Sequence, residues 1–194
     1  MSGIGERRGR HRVLVGMDSR SDAELVAAAN DGDGRALEGV YVRHRDWVHG
    51  LAWRWLGDED AAWDVCQEAF RYLIARIPGL VLTARMRTFL WPVVRNLCAE
   101  RRRRAARETA VPAVDPVVLD RGAGAGETGE ALAAVLRSLP AAQLDVVLLR
   151  LVDGFSTQET AQALGVPPGT VKSRLHLALR RLSEEPGTKN LLIS

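Results

Sequence analysis

Residues Gly165–Leu182 read "GVPPGTVKSRLHLALRRL". Gly165 suits a tight turn, because it enters positive φ without a Cβ penalty. Pro167 and Pro168 then start a helix, where a missing amide hydrogen costs little. Val171, Leu175, Ala178, Leu179 and Leu182 recur at helical spacing and predict its buried face. Just upstream, "STQETAQAL" (Ser156–Leu164) opens with Ser156 and, three residues on, Glu159: a capping box. Ala161 is small where two helices must cross. Small residue, glycine and aliphatic at Ala161, Gly165 and Val171 follow the steric pattern of a helix-turn-helix.

The other face of the last helix carries Thr170, Lys172, Ser173, Arg174, His176, Leu177, Arg180 and Arg181, and no acid lies between Gly165 and Leu182. An ordinary solvated face usually mixes both signs. A positive helix in this motif instead matches a phosphate-seeking surface. Lys172, Ser173 and His176 lie early enough to reach base edges in a major groove.

Working outward, Leu132, Val135, Leu136 and Leu139 predict one more helix. Pro140 opens another, with Leu144, Val147, Leu148 and Leu151 inside, which Gly154 breaks. Residues 128–185 therefore form a four-helix unit, with 186–194 as a tail. Residues 107–127, with Pro112, Pro116, Gly122, Gly124 and Gly126, read as a linker.

Residues 19–106 predict a second helical unit. Ser21 and Glu24 form a capping box before a short helix ending near Asn30, and "DGDG" is a turn. Leu37, Val40, Tyr41, Val48, Leu51 and Trp55 make an apolar stripe with His44 as its polar exception. Gly57 ends that helix, and Asp58–Asp60 place acids at the positive end of the next. Ala62, Val65, Ala69, Leu73 and Ile77 form the next buried line, closed by Pro78 and Gly79. After a loop from Pro78 to Arg85 comes "MRTFLWPVVRNLCAERRRRAAR". Thr88 as its N-cap would keep Pro92 at the edge of the first turn. The fold class is all-α: two small helical domains joined by a flexible linker, the second a helix-turn-helix domain. Residues 1–18 read as a disordered tail, and Met17 is a candidate true start.

Two features of the first unit point beyond a generic DNA binder. Asp64, Gln67 and Glu68 share one helix face. Phe89 and Trp91, leading into Arg95, Asn96 and the arginine run, put aromatics beside cations. That combination suits unstacked bases and their backbone. Surface acids and core aromatics are the plainer readings of each stretch alone.

The chain has 194 residues and a net charge of +3, so its basic character is local. Cys66 and Cys98 have no metal-ligand spacing and fit a reduced, cytoplasmic interior. No apolar run spans a membrane. His11, His44, His49 and His176 pair with no Ser or Cys at catalytic spacing, and no phosphate loop appears. Nothing here calls for an enzyme, a cofactor or a metal.

The segments "DAELVAAANDGD", "DVCQEAFRYLIARI", "RTFLWPVVRNL", "LPAAQLDVVLLRLVDGFSTQETAQALGV" and "PPGTVKSRLHLALRRL" together resemble bacterial extracytoplasmic-function (ECF) sigma factors of the sigma-70 family. The resemblance covers residues 20–185. It implies region 2 in the first unit and region 4 in the second, on a promoter-recognition subunit of RNA polymerase. Asp64, Gln67 and Glu68 would dock on the β′ clamp coiled coil, and region 4 on the β flap. The loop Pro78–Arg85, with Arg87, Phe89, Trp91, Arg95 and Asn96, would open and read the minus-ten element. Thr170, Lys172, Ser173, Arg174, His176 and Arg180 would read the minus-thirty-five duplex. An anti-sigma protein is a further implied partner. Pro92 and Leu177 depart from the family, which often has arginine at both places. The competing reading is a free-standing helix-turn-helix regulator, which would need neither the acidic helix nor the aromatic segment.

Overall fold

The computed structural model describes residues 18–109 and 134–184. The expected N-terminal tail up to Met17, the linker from residue 110 onward, Leu132 and the C-terminal tail lie outside the described residues.

Helix α1 (Asp22–Asn30) starts at the expected capping box: Ser21 accepts from the Glu24 amide, and the Glu24 carboxylate accepts from the Ser21 amide. Helix α2 (Gly34–Leu56) is capped by Asp33 and ended by Gly57 at φ 69°. The Asp58 side chain caps α3 (Glu59–Ile74) by accepting from the Ala61 amide. Each cap satisfies amides that have no partner within the helix. Ile77, expected on the buried line of α3, falls beyond its end, because the chain leaves the helix after Ile74.

His44 breaks the apolar stripe of α2 yet is buried. Its Nε2 lies 2.9 Å from Asp22 Oδ2, and Arg43 pairs with the other oxygen of Asp22 at 2.7 Å. Arg43 also donates to the carbonyls of Asp18 and Arg20. A buried polar group is tolerated once it is bonded, and here the bond ties α1 to α2.

Helix α4 (Met86–Thr109) begins two residues before Thr88, so Thr88 is not its N-cap and Pro92 sits inside it. The helix starts early because Met86 and Leu90 are both fully buried and pull the first turn onto the core. Pro92 cannot donate to the Thr88 carbonyl, a loss of about 3 kcal/mol. Burying an aliphatic side chain contributes about 1.5–3 kcal/mol, so Leu90 and Val94, both at 0 % exposure, offset it.

In the second unit, residues 134–137 are helical. Helix α5 (Ala141–Val147) runs into a π-helical stretch, Leu148–Val152, which Gly154 ends at φ 70°. Helix α6 (Thr157–Leu164) has the Ser156/Glu159 capping box, and α7 (Pro168–Glu184) completes the motif. The π stretch corrects one expectation. Leu151 is 59 % exposed and Leu149 takes the buried place, because the wider turn shifts the side-chain register. Leu179 is also exposed rather than buried. The buried seam of α7 follows Val171, Leu175, Ala178 and Leu182, and Leu179 lies at its edge.

The two units pack together. Apolar residues of α1–α4 and of α5–α7 form one continuous core, with α4 against α6.

Candidate nucleic-acid and polymerase interfaces

The helix-turn-helix has the expected geometry. Gly165 takes φ 64°, and its amide and that of Val166 close onto Gln162 and Ala161. Val171 packs with Ala161 and Val146, flanked by Leu164, Val166 and Leu175. That packing fixes α7 and turns Lys172, Ser173, His176, Leu177 and Arg180 outward, where they are exposed. Thr170 is half-buried, and the Ser173 hydroxyl donates to its carbonyl. Arg180 lies 3.8 Å from Glu184. Arg174 stands apart from this row. It is half-buried and lines a cleft between the units, beside Asp145, Trp91 and Arg95.

On α3, Asp64 and Gln67 are exposed and Glu68 is half-buried. Asp64 pairs with Arg101 of α4 at 3.2 Å, and Glu68 lines a groove with Leu56, Leu97 and Arg101. The three residues form one acidic surface bordered by cations.

The expected minus-ten residues are divided. Arg87 and Asn96 are exposed, Phe89 is half-buried against Tyr72, and Arg95 is half-buried. Trp91 is 2 % exposed, so its ring is closed to stacking in this arrangement. Pairing explains Arg95: its Nη2 lies 2.8 Å from the buried carboxylate of Asp145 on α5. The Arg95 guanidinium also lies 5.8 Å from the Trp91 ring centroid.

Trp47, Arg54, Asp153 and Phe155, which the sequence reading does not single out, line the same boundary. Arg54 and Trp47 of α2 both donate to Asp153, at 2.7 and 3.2 Å. Trp47 stacks on Phe155 at 6.3 Å, and Arg87 lies 5.3 Å from the Trp47 ring. Arg85 reaches Glu159 at 3.0 Å. In each of these ion pairs the first unit supplies arginine and the second supplies the acid. Nothing in local spacing signals this, because the partners lie 50 to 106 residues apart.

Cys66 and Cys98 are free and buried. Burial pushes their thiols up to about 11 and about 12, which leaves them unreactive. No helix among the described residues is long and apolar enough to cross a membrane.

Comparison with known proteins decides the family. Residues 40–108 match the model for sigma-70 region 2, and residues 129–182 match that for sigma-70 region 4. An ECF RNA polymerase sigma factor of Mycobacterium tuberculosis, SigM, is 35 % identical over 176 residues, covering 90 % of this chain and 89 % of its own length. The chain belongs to the ECF sigma factors. As a member it is a promoter-recognition subunit of RNA polymerase, and its partners are core polymerase and promoter DNA. SigW of Bacillus subtilis is 24 % identical, covering 82 % of this chain and 94 % of that one. Among solved structures, CnrH in complex with the cytosolic domain of CnrY has a TM-score of 0.63 at 24 % identity, covering 84 % of this chain and 96 % of that chain. RpoE of Bartonella quintana, solved with the anti-sigma factor NepR, has a TM-score of 0.60 at 22 % identity, covering 76 % and 94 %. These two share the fold.

Proposed function

We propose that this sigma factor divides promoter recognition and polymerase binding among three surfaces and that its two units part before DNA is engaged. The exposed row on α7, Lys172, Ser173 and His176 with Thr170 and Arg180, reads the minus-thirty-five duplex. Arg174 joins it once the inter-unit cleft opens. Arg87, Phe89, Trp91, Arg95 and Asn96, with the loop Pro78–Arg85, take the melted minus-ten strand. Asp64, Gln67 and Glu68 dock on the β′ clamp coiled coil of core polymerase, and the second unit meets the β flap. The chain supplies no chemistry of its own and acts in the cytoplasm.

The observation that carries this reading is the acid-free, solvent-facing row on a helix whose orientation Gly165 and Val171 fix. Melting and duplex reading want different surfaces. A single strand needs aromatic faces, each contributing about 1–3 kcal/mol per stacked base, whereas a duplex needs a groove-sized helix. With Trp91 covered and Arg95 neutralised by Asp145, the packed arrangement is the one without DNA. The solved complex of one fold relative, RpoE with the anti-sigma factor NepR, supports an anti-sigma protein as a further partner.

Reconstitution with core polymerase on promoter DNA tests this. The expected result is core binding and initiation that depends on promoter sequence. A chain that binds duplex DNA but neither binds core nor supports initiation would act as a free-standing regulator instead.

A further inference from the structure

Asn30, the last residue of α1, makes a two-sided bond to a loop 50 residues away. Its Oδ1 accepts from the amides of Gly79, at 2.9 Å, and Leu80, at 3.2 Å. Its Nδ2 donates to the Leu80 carbonyl at 2.9 Å. A side-chain amide used on both edges in this way pairs with backbone as another peptide would, and it fixes both the position and the tilt of the peptide it holds. The loop places unlike side chains on either side of this clamp. Leu80 is buried, whereas Val81 is 76 % exposed. Ile74 and Tyr72, also exposed, precede the loop at the end of α3. Arg76 lies 3.3 Å from the Tyr72 ring, and Phe89 flanks that ring on α4. Gly79 holds φ 113°, which lets its amide turn toward Asn30.

We propose that Asn30 is a positioning residue for base selection on the single-stranded promoter. It holds Gly79–Leu80 so that Val81 is presented in one orientation to an unstacked nucleobase of the minus-ten strand. The inference rests on the reading of Pro78–Arg85 as the minus-ten loop. Its physical basis is preorganisation. A loop held in its bound shape discriminates between bases, while a loosened one adapts to each of them and loses the difference. Asn30 itself touches no DNA. It acts from α1, an element otherwise packed on α2.

The test uses full-length chain in holoenzyme with core polymerase. Fork-junction promoter DNAs carry each of the four bases in turn at each unpaired minus-ten position. Wild type, Asn30→Ala, Asn30→Asp and Val81→Ala are compared, with core affinity and thermal midpoint as controls. The expected result is that Val81→Ala changes the preference at one position and Asn30→Ala flattens it there by about tenfold, within the range set by one mismatched base. Binding of core should stay as in wild type. Asn30→Asp keeps the acceptor for both amides and should recover part of the preference. If Val81→Ala shifts the preference while Asn30→Ala leaves it intact, or weakens all four bases alike, the positioning role is overturned and the loop reading stands. If Val81→Ala changes nothing, the loop reading falls and the proposal falls with it. Should Asn30→Ala fail to fold, Asn30→Asp decides alone, because it keeps the acceptor for the two amides and sets a carboxylate oxygen against the Leu80 carbonyl in place of the donor. A partial loss at the one position supports the role, and an even loss or none overturns it.

Discussion

Asp153 sets one carboxylate oxygen 2.7 Å from the guanidinium of Arg54 and 3.2 Å from the indole nitrogen of Trp47. The acid is 3 % exposed and the arginine 12 %. Arg54 and Trp47 belong to α2 in region 2, and Asp153 follows the π stretch of region 4. The carboxylate and the Phe155 ring two residues later occupy a cation and an aromatic face together. A nucleotide offers the same pair of features, a phosphate and a base.

Replacing Asp153 with asparagine should loosen the contact between the units. The amide still accepts a hydrogen bond, but Arg54 loses its counter-charge in a buried place, and breaking such a pair costs roughly 3–5 kcal/mol. Fluorophores placed on the outer faces of α3 and α7 should report a longer mean distance, and free Asp153→Asn chain should bind single-stranded minus-ten DNA more tightly than wild type. Arg85→Ala serves as contrast. Arg85 is 81 % exposed in its pair with Glu159, and exposed pairs contribute about 0–1 kcal/mol. It should leave the distance unchanged. An unchanged distance in Asp153→Asn would show that the other contacts between the units, the Arg95–Asp145 pair and the apolar packing, suffice to join them.

On α7, Lys172→Ala should weaken binding to minus-thirty-five duplex more than to an unrelated duplex, because Lys172 reaches base edges. The loss of its charge should flatten the salt dependence by about one unit in slope. Leu177→Arg should have the opposite effect on the slope. Leu177 is exposed on the same helix, and an arginine there adds a cation within reach of the backbone. The slope of log affinity against log salt should steepen by about 0.9. Titrations at several salt concentrations on minus-thirty-five and unrelated duplexes check both. A Leu177→Arg slope equal to that of wild type would place position 177 away from the phosphates.

Much of this fold was legible because its signals are local. Ser21 with Glu24, Ser156 with Glu159, Asp58 and Gly165 each act within a few residues, and each performs the capping or turning role its type implies. Leu151 was misplaced because a π turn breaks the 3.6-residue period, and nothing in "LLRLV" signals it. Thr88 resembled a cap, but the burial of Met86 drew the helix start two residues earlier. Among the functional residues, the α7 row could be read from charge alone. The burial of Trp91 matches the plainer reading of its stretch as core, whereas the pairing of Arg95 could not be read, since it depends on how one unit sits against the other.

Acid should destabilise the first helical unit through Asp22. The hydrogen bond from His44, followed by Arg43, holds this carboxyl below its ordinary range, and burial opposes them. A group with a lowered folded pKa contributes stability that is fully present above its unfolded value, about 3.9. That contribution is lost as pH falls through the folded value. Urea midpoints at about pH 6 and about pH 3 should therefore differ less in Asp22→Asn than in wild type. Equal pH dependence in the two proteins would assign the acid response to other carboxylates.

The double substitution Asp64→Ala with Gln67→Ala should separate polymerase binding from DNA binding. Both side chains are exposed on α3, so their loss leaves no cavity. Asp64 gives up a pair with Arg101 that is 58 % exposed on the acid side, a small loss by the measure of surface pairs, at about 0–1 kcal/mol. The thermal midpoint should hardly move. Core affinity should fall by about thirtyfold or more, since truncating one partner of a buried, hydrogen-bonded charge pair in an interface costs about 2–5 kcal/mol. Affinity for minus-thirty-five duplex should stay as in wild type, because α7 lies on the other unit and shares no partner with these residues. Lys172→Ala supplies the reciprocal result, with duplex binding weakened and core binding spared. If instead Lys172→Ala abolished core binding, or the α3 double variant lost duplex binding, the two surfaces would not be independent, and the division between region 2 and region 4 would have to be redrawn.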